Sequence, residues 1–281
     1  MEAGKIGVKG RLTGVINSYY PSLTKSEQKV AEIVLEKMDQ VMYFSVTDLA
    51  DEADVGDTTV LRFCRKIGFK GYQEFKLAIA KDLGSPEENH ETEEGMIKSI
   101  ALNNVKAIEE TVALNSEDKL ETALNMMEKA NSILFFGVGT SGLTALDAKN
   151  RFLRIGKRTE AVIDSHIQAM TAATLDKDDI VVGISVSGST MDTIDSLKLA
   201  KESGASVIAI TYHARSPITK VADLVLLSGG KESPLEGGSL AAKISQLFII
   251  DLLCTGIALR NKEQSLKYKE LTARAVINKI Y

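Results

Sequence analysis

From residue 132 onward the chain alternates short apolar runs with longer segments, and no other feature limits its possible folds as much. The runs are 133–136, 160–163, 180–185, 207–211 and 224–227, together rich in β-branched residues. Each has the length of a buried strand, and the segments between them are long enough to hold crossover helices. Strands joined by such crossovers run parallel, and a parallel sheet must be covered on both faces. Residues 96–281 are therefore expected to form an α/β domain with a doubly wound parallel sheet of about five strands.

The first part of the chain reads differently. Residues 1–84 are helical in pattern, with no convincing strand, and predict an all-α domain. Residues 85–95, which include Pro86 and five glutamates, read as a solvated acidic linker. A helix-like stretch follows over 96–129. The apolar segment 240–259 reads as a core helix, because Lys243, Gln246 and Asp251 interrupt it. With no uninterrupted apolar run of about 20 residues and no signal-peptide core behind Met1, the expectation is a cytoplasmic protein without a membrane partner. Cys64 and Cys254 sit in helical apolar patterns and read as small buried hydrophobes. His90, His166 and His213 have no metal-ligand spacing. No internal repeat is found, and no metal or cofactor is called for.

Net charge −4 does not advertise a nucleic-acid partner, but residues 45–67 do. Ser45 can cap a helix over 46–53, Asp54-Val55-Gly56 makes a tight turn, and a second helix is expected over 57–67. Leu49, Ala50, Val55, Val60, Phe63 or Cys64, and Ile67 face inward. That leaves Asp57, Thr58, Thr59, Arg62, Arg65 and Lys66 outward. A recognition helix needs this division: N-terminal residues at base edges and cations at phosphates. Arg62 suits a bidentate contact to guanine, and Thr58 or Thr59 a base edge or a thymine methyl. Lys70, Lys76 and Lys81 extend the positive charge, so a double-stranded DNA operator is the expected partner. The turn position usually held by glycine is Asp54, a residue that tolerates the left-handed conformation.

Two loops of the second part point to phosphate. Ser185-Val186-Ser187-Gly188-Ser189-Thr190 follows the third apolar run and precedes a helix, placing hydroxyls, a glycine and free N–H groups at a positive helix end. It lacks the Gly-Lys-Ser/Thr of a nucleotide P-loop. The ordinary alternative is a turn with capping serines, yet four hydroxyls in six residues exceed what one cap needs. Gly137-Val138-Gly139-Thr140-Ser141-Gly142 follows the first run and matches G-x-G-x-x-G, with Asp164 about 20 residues on, as in dinucleotide sites. A repressor that senses NAD(H) is therefore a rival reading. The second, serine-rich loop favours a smaller ligand with one phosphate, whose hydroxyls Thr140 and Ser141 would meet.

Taken together, the two halves resemble the RpiR/MurR family of bacterial transcriptional regulators. Residues 58–76, TTVLRFCRKIGFKGYQEFK, carry the likeness in the first half. The second half looks like a sugar isomerase (SIS) domain through residues 137–142 and 185–190. The resemblance implies a DNA-binding homodimer or homotetramer whose SIS domain senses a phosphosugar of carbohydrate catabolism. By position it places Ser185, Ser187 and Thr190 on the phosphate and Ser141 on the sugar. Gly188 and Ser189 would shape the loop, and Gly139 would open the helix beside Thr140. Glu236 and Ser239 are expected to line the same pocket, with Lys243 as a counter-charge. Val186 stands where some SIS enzymes carry glutamine, which removes one polar contact. An isomerase needs a base to move a proton between carbons, and only Glu236, His213 and His166 are candidates. Joined to a helix-turn-helix, the domain reads as a binding module without catalysis, with a sugar-phosphate isomerase as the remaining alternative.

Overall fold

A computed structural model describes residues 11–83, 95–235 and 237–279. The expected linker, 85–95, lies outside the described residues apart from Gly95. Contacts divide the chain into two units, Met1–Leu102 with Lys231–Gly237, and Asn103–Gly230 with Gly238–Tyr281.

All regular secondary structure among the first unit's described residues is helical. It holds α1 (Arg11–Tyr19), α2 (Lys25–Glu36), α3 (Met38–Val41), α4 (Val46–Glu52), α5 (Asp57–Lys66), α6 (Tyr72–Leu83) and the start of α7 (Met96–Leu114). Two helices begin with reciprocal caps: the hydroxyls of Thr24 and Ser45 accept the N–H of Glu27 and Asp48, whose carboxylates accept in return. The core gathers Ile16, Val30, Val34, Leu49, Val60, Phe63, Phe75 and Ile79. Phe63 meets Phe75 edge-on, with ring centroids 5.7 Å apart.

The second unit continues with the rest of α7, then α8 (Glu117–Lys129), β1 (Ser132–Phe136), α9 (Gly139–Arg154), β2 (Thr159–Val162), α10 (Ser165–Ala172) and β3 (Asp179–Ile184). After these come α11 (Met191–Glu202), β4 (Ser206–Thr211), β5 (Leu224–Leu227), α12 (Leu240–Arg260) and α13 (Lys262–Val276). The five strands pair in parallel in the order β2-β1-β3-β4-β5. One face is covered by α8, α9 and α12 through Met127, Phe152 and Leu253. The other is covered by α10 and α11 through Ala172, Ile194 and Leu197. The chain winds outward from β1 in one direction and from β3 in the other, so a crevice opens at the ends of these neighbouring strands.

One expectation needs adjustment. The stretch 96–129 is not one helix. It breaks at Asn115, whose side chain pairs with the backbone N–H and carbonyl of Leu227 at 2.9 and 2.7 Å. Asn115 thereby occupies hydrogen-bonding groups of edge strand β5 that would otherwise stay open. Ser116 then caps α8. The apolar segment 240–259 is a helix as expected and, among the described residues, the one long and apolar enough to cross a membrane. In this structure its Ala242, Gln246, Ile249, Ile250 and Leu253 are buried within the second unit.

Candidate functional sites

The turn between α4 and α5 ends α4 in a Schellman motif. The N–H of Val55 bonds the carbonyl of Ala50 at 2.9 Å and that of Asp54 bonds Asp51 at 3.0 Å. Asp54 occupies the left-handed position at φ +51°, as the sequence leads one to expect. The Lys29 ammonium, 2.9 Å away, donates to its carboxylate and lowers its pKa. Thr47 donates to Asp57 at 3.3 Å, tying the two helices together.

On α5, Thr58, Arg62 and Arg65 are exposed, and Lys70 is exposed just beyond it. Two expected surface residues are buried, and a third, Lys66, is exposed but already paired. Thr59 is buried, at 7% exposure, and accepts a hydrogen bond from the Arg62 guanidinium at 3.3 Å. It supports Arg62 rather than facing outward itself, because the α4–α5 packing turns that edge of the helix inward. Lys66 is held by the Glu27 carboxylate at 3.0 Å and by the Ser22 carbonyl, so its charge is already matched. Lys76 is buried, not part of the basic surface. Its ammonium donates to the Phe44 carbonyl at 2.8 Å, and burial pushes its pKa down to about 8. Cys64 is a core residue whose thiol burial pushes up to about 12.

In the second unit, β1 and β3 are paired up to Phe136 and Gly183, so the two loops that follow them open side by side. Residues 185–190 do not cap α11: Thr190 stands at the cap position without a side-chain bond to the helix. Instead the hydroxyls of Ser185 and Thr190 pair across the loop at 3.0 Å. The Ser187 hydroxyl accepts the Ser189 N–H at 3.3 Å. The carbonyls of Val186 and Gly188 are occupied by the N–H groups of Tyr212 and Ile218. Gly188, at φ +59°, is held against the following turn, where a Cβ would lie 2.1 Å from the Ser216 hydroxyl. A loop whose carbonyls are engaged elsewhere, beside an uncapped helix start, offers N–H and O–H groups to an anion.

The first loop has the same character. Val138 stands at the cap position of α9, Gly139 has φ +57°, Thr140 is exposed and Ser141 is buried. The helix start of α12 lies close by. Its Lys243 donates to the Thr140 carbonyl at 2.7 Å, and Ser239 is half-buried at its cap position. Lys243 therefore holds the loop as well as bringing charge, and desolvation lowers its pKa. Glu236 lies outside the described residues. Asp164 caps α10 by accepting the Ile167 N–H at 3.0 Å, and the strand order differs from that of dinucleotide-binding sheets. Both facts weigh against the NAD(H) reading. One supporting residue has no signature in the sequence. Gln168 is fully buried on α10 and donates to the carbonyls of Gly137 and Val162 at 3.2 and 2.7 Å, bracing the first loop from behind. Among the described residues no group of His, Cys, Asp or Glu could hold a metal ion.

Comparison with known proteins agrees with both halves. Residues 11–86 match the helix-turn-helix domain of the rpiR family, and residues 126–256 match the SIS domain. An uncharacterized HTH-type transcriptional regulator of Haemophilus influenzae is 37% identical over 95% of this chain and 97% of its own length. The chain belongs to the rpiR family. This rpiR-family member is a helix-turn-helix transcriptional regulator with a SIS domain. The HTH-type transcriptional regulator HexR of Pseudomonas aeruginosa is 33% identical over 87% of this chain and 88% of its own. Among solved structures, Vibrio vulnificus NanR complexed with ManNAc-6P matches with a TM-score of 0.89 at 28% identity, over 96% of this chain and 99% of that one.

Proposed function

We propose that this regulator controls genes of sugar or amino-sugar metabolism, and that its SIS domain binds a phosphosugar in the crevice at the ends of β1 and β3. The observation that carries the reading is the uncapped start of α11, ringed by Ser185, Ser187, Ser189 and Thr190. One phosphate dianion there would receive hydrogen bonds from the hydroxyls and from the helix's first N–H groups. Thr140, Ser141 and Ser239 stand on the neighbouring loops for the sugar hydroxyls. The likeness to NanR in complex with ManNAc-6P supports the ligand class.

Thr58, Arg62, Arg65 and Lys70 form the operator-reading surface, with Asp57 tied to α4 and Thr59 behind Arg62. The domain acts as a binding module: His166 is exposed on α10, and His213 packs edge-on against Tyr212. The chain works in the cytoplasm as a homodimer or homotetramer, which places two recognition helices about one DNA turn apart or a multiple of it. Exposed apolar side chains, including Ile97, Val112, Ile167, Met170 and Leu266, support association.

A thermal-shift panel of sugar phosphates, amino-sugar phosphates, NAD(H) and NADP(H) tests this. A ligand at about 100 times its dissociation constant adds roughly 2.7 kcal/mol, enough to move the melting temperature. A shift with a sugar phosphate that disappears in Ser187→Ala is expected. A shift with NAD(H) alone would overturn the reading.

A further inference from the structure

Residues Lys231–Gly237 leave the second unit after β5 and return to it before α12, yet their contacts belong to the first unit. There the Lys231 ammonium sits 3.4 Å from the centroid of the Tyr43 ring, and Ser233 is buried. The Glu232 carboxylate favours the charged form of Lys76. Lys76 and Tyr72 both donate to the Phe44 carbonyl, at 2.8 and 3.2 Å. Phe44 immediately precedes Ser45, the cap of α4, and α4 is the helix against which α5 is set. The segment thus grips the residues where the helix-turn-helix begins.

Its two ends are equally well defined within the second unit. Gly230 and Gly238, which flank it, adopt left-handed φ values of +84° and +92°. Gly230 is pressed against the first turn of α12, where a Cβ would come 2.7 Å from the Ala242 nitrogen. Gly238 abuts Thr140, where a Cβ would come 2.9 Å from the methyl group. Lys243, in the same turn of α12, holds the Thr140 carbonyl. Both ends therefore rest on the structure that forms one side of the crevice.

We propose that Lys231–Gly237 is a coupling strap: occupation of the crevice displaces the first turn of α12, and the strap carries that displacement to Tyr43 and Phe44, resetting α4 and α5. The inference rests on the phosphosugar reading above. Its rival is α7, which also runs from one unit into the other. The bonds of α7 go to Gly229, Gly230 and Ser245, however, not to Thr140.

The test uses the full chain with two changes made separately: Lys231→Ala, and a two-glycine insertion after Leu235 that slackens the strap without removing a side chain. DNA affinity is measured on a duplex selected by the wild-type chain from a random library, with N-acetylmannosamine 6-phosphate and glucose 6-phosphate as probes. Both variants are expected to keep the wild-type thermal shift with the sugar phosphate, and ligand-free DNA affinity within about threefold. The ligand-induced change in DNA affinity, about 5- to 150-fold for an ordinary allosteric coupling, should shrink to under about threefold. A full response in both variants overturns the strap and leaves α7 as the route. If the wild-type chain itself shows no thermal shift, the phosphosugar reading has failed instead. The strap then still faces a ligand-free readout: amide hydrogen exchange in α4 should quicken in Lys231→Ala, and unchanged exchange overturns the anchoring.

Discussion

On α5 the groups offered to a partner are side chains, Thr58, Arg62 and Arg65, standing on a helix whose opposite face is core. In the crevice at the ends of β1 and β3 they are in large part backbone groups, exposed because Val138 and Thr190 leave two helix starts without a side-chain cap. Side-chain presentation depends on periodicity, so it tolerates changes in the turns that frame it. Backbone presentation depends on the path of the chain, so it fails when that path is disturbed. The two glycines at left-handed φ that best express the contrast are Gly68, which ends α5 with open space around it, and Gly188, which is walled in by Ser216 and Thr211.

The largest effect is expected from alanine at these two positions. Both substitutions incur the left-handed strain, of order 1–2 kcal/mol. Gly188→Ala adds a collision with the Ser216 hydroxyl, and should abolish the thermal shift with sugar phosphates along with further stability. Gly68→Ala should show the strain alone, by urea unfolding. Equal losses at the two sites would remove the argument that the crevice is shaped by close backbone approach. Next in size is Arg62→Ala, expected to weaken operator binding by about 1–3 kcal/mol and to relax one base preference. A uniform loss on all sequences would make Arg62 a phosphate contact.

A smaller effect concerns pH. With a folded pKa of about 8 against a usual 10.5, Lys76 is neutral in the folded chain and protonated in the unfolded chain between these values. Its contribution to stability therefore rises with pH across that window and is lost as pH falls through about 8. Unfolding of the first unit followed from pH 7.5 to 10 should show this rise, and Lys76→Met should flatten it. The smallest change is Asp54→Gly. Relief of left-handed strain, about 1 kcal/mol, is opposed by loss of the ion pair with Lys29, which solvent screens because both groups are exposed. A slight net gain in melting temperature is expected, and a large loss would mean that the carboxylate organises the turn.

The same contrast explains what could be read in advance. The five strands lie within one residue of the apolar runs at each end, because a buried parallel strand has to be apolar and short. The turn at Asp54 was legible because few residues accept φ > 0. Thr59 and Lys76 were misplaced for a shared reason. Each is polar on a pattern that allows exposure, and each is turned inward by distant parts of the chain: Thr59 by the packing of α4 on α5, and Lys76 by the Phe44 carbonyl, 32 positions away. Asn115 broke a helix by finding Leu227, and Gln168 braces a loop through two backbone carbonyls. Such pairings are properties of the folded path, which no local spacing encodes. In the crevice the residue types were visible, but the feature that matters, hydroxyls that decline to cap their helix, was not.

The most direct measurement is the affinity of the full chain for its selected duplex, by fluorescence anisotropy, as a sugar phosphate is titrated at constant ionic strength. The account predicts a saturable change of about 5- to 150-fold, absent in Ser187→Ala, whose ligand-free DNA affinity matches the wild type. A sugar phosphate that stabilises the chain yet leaves DNA affinity unchanged would contradict it.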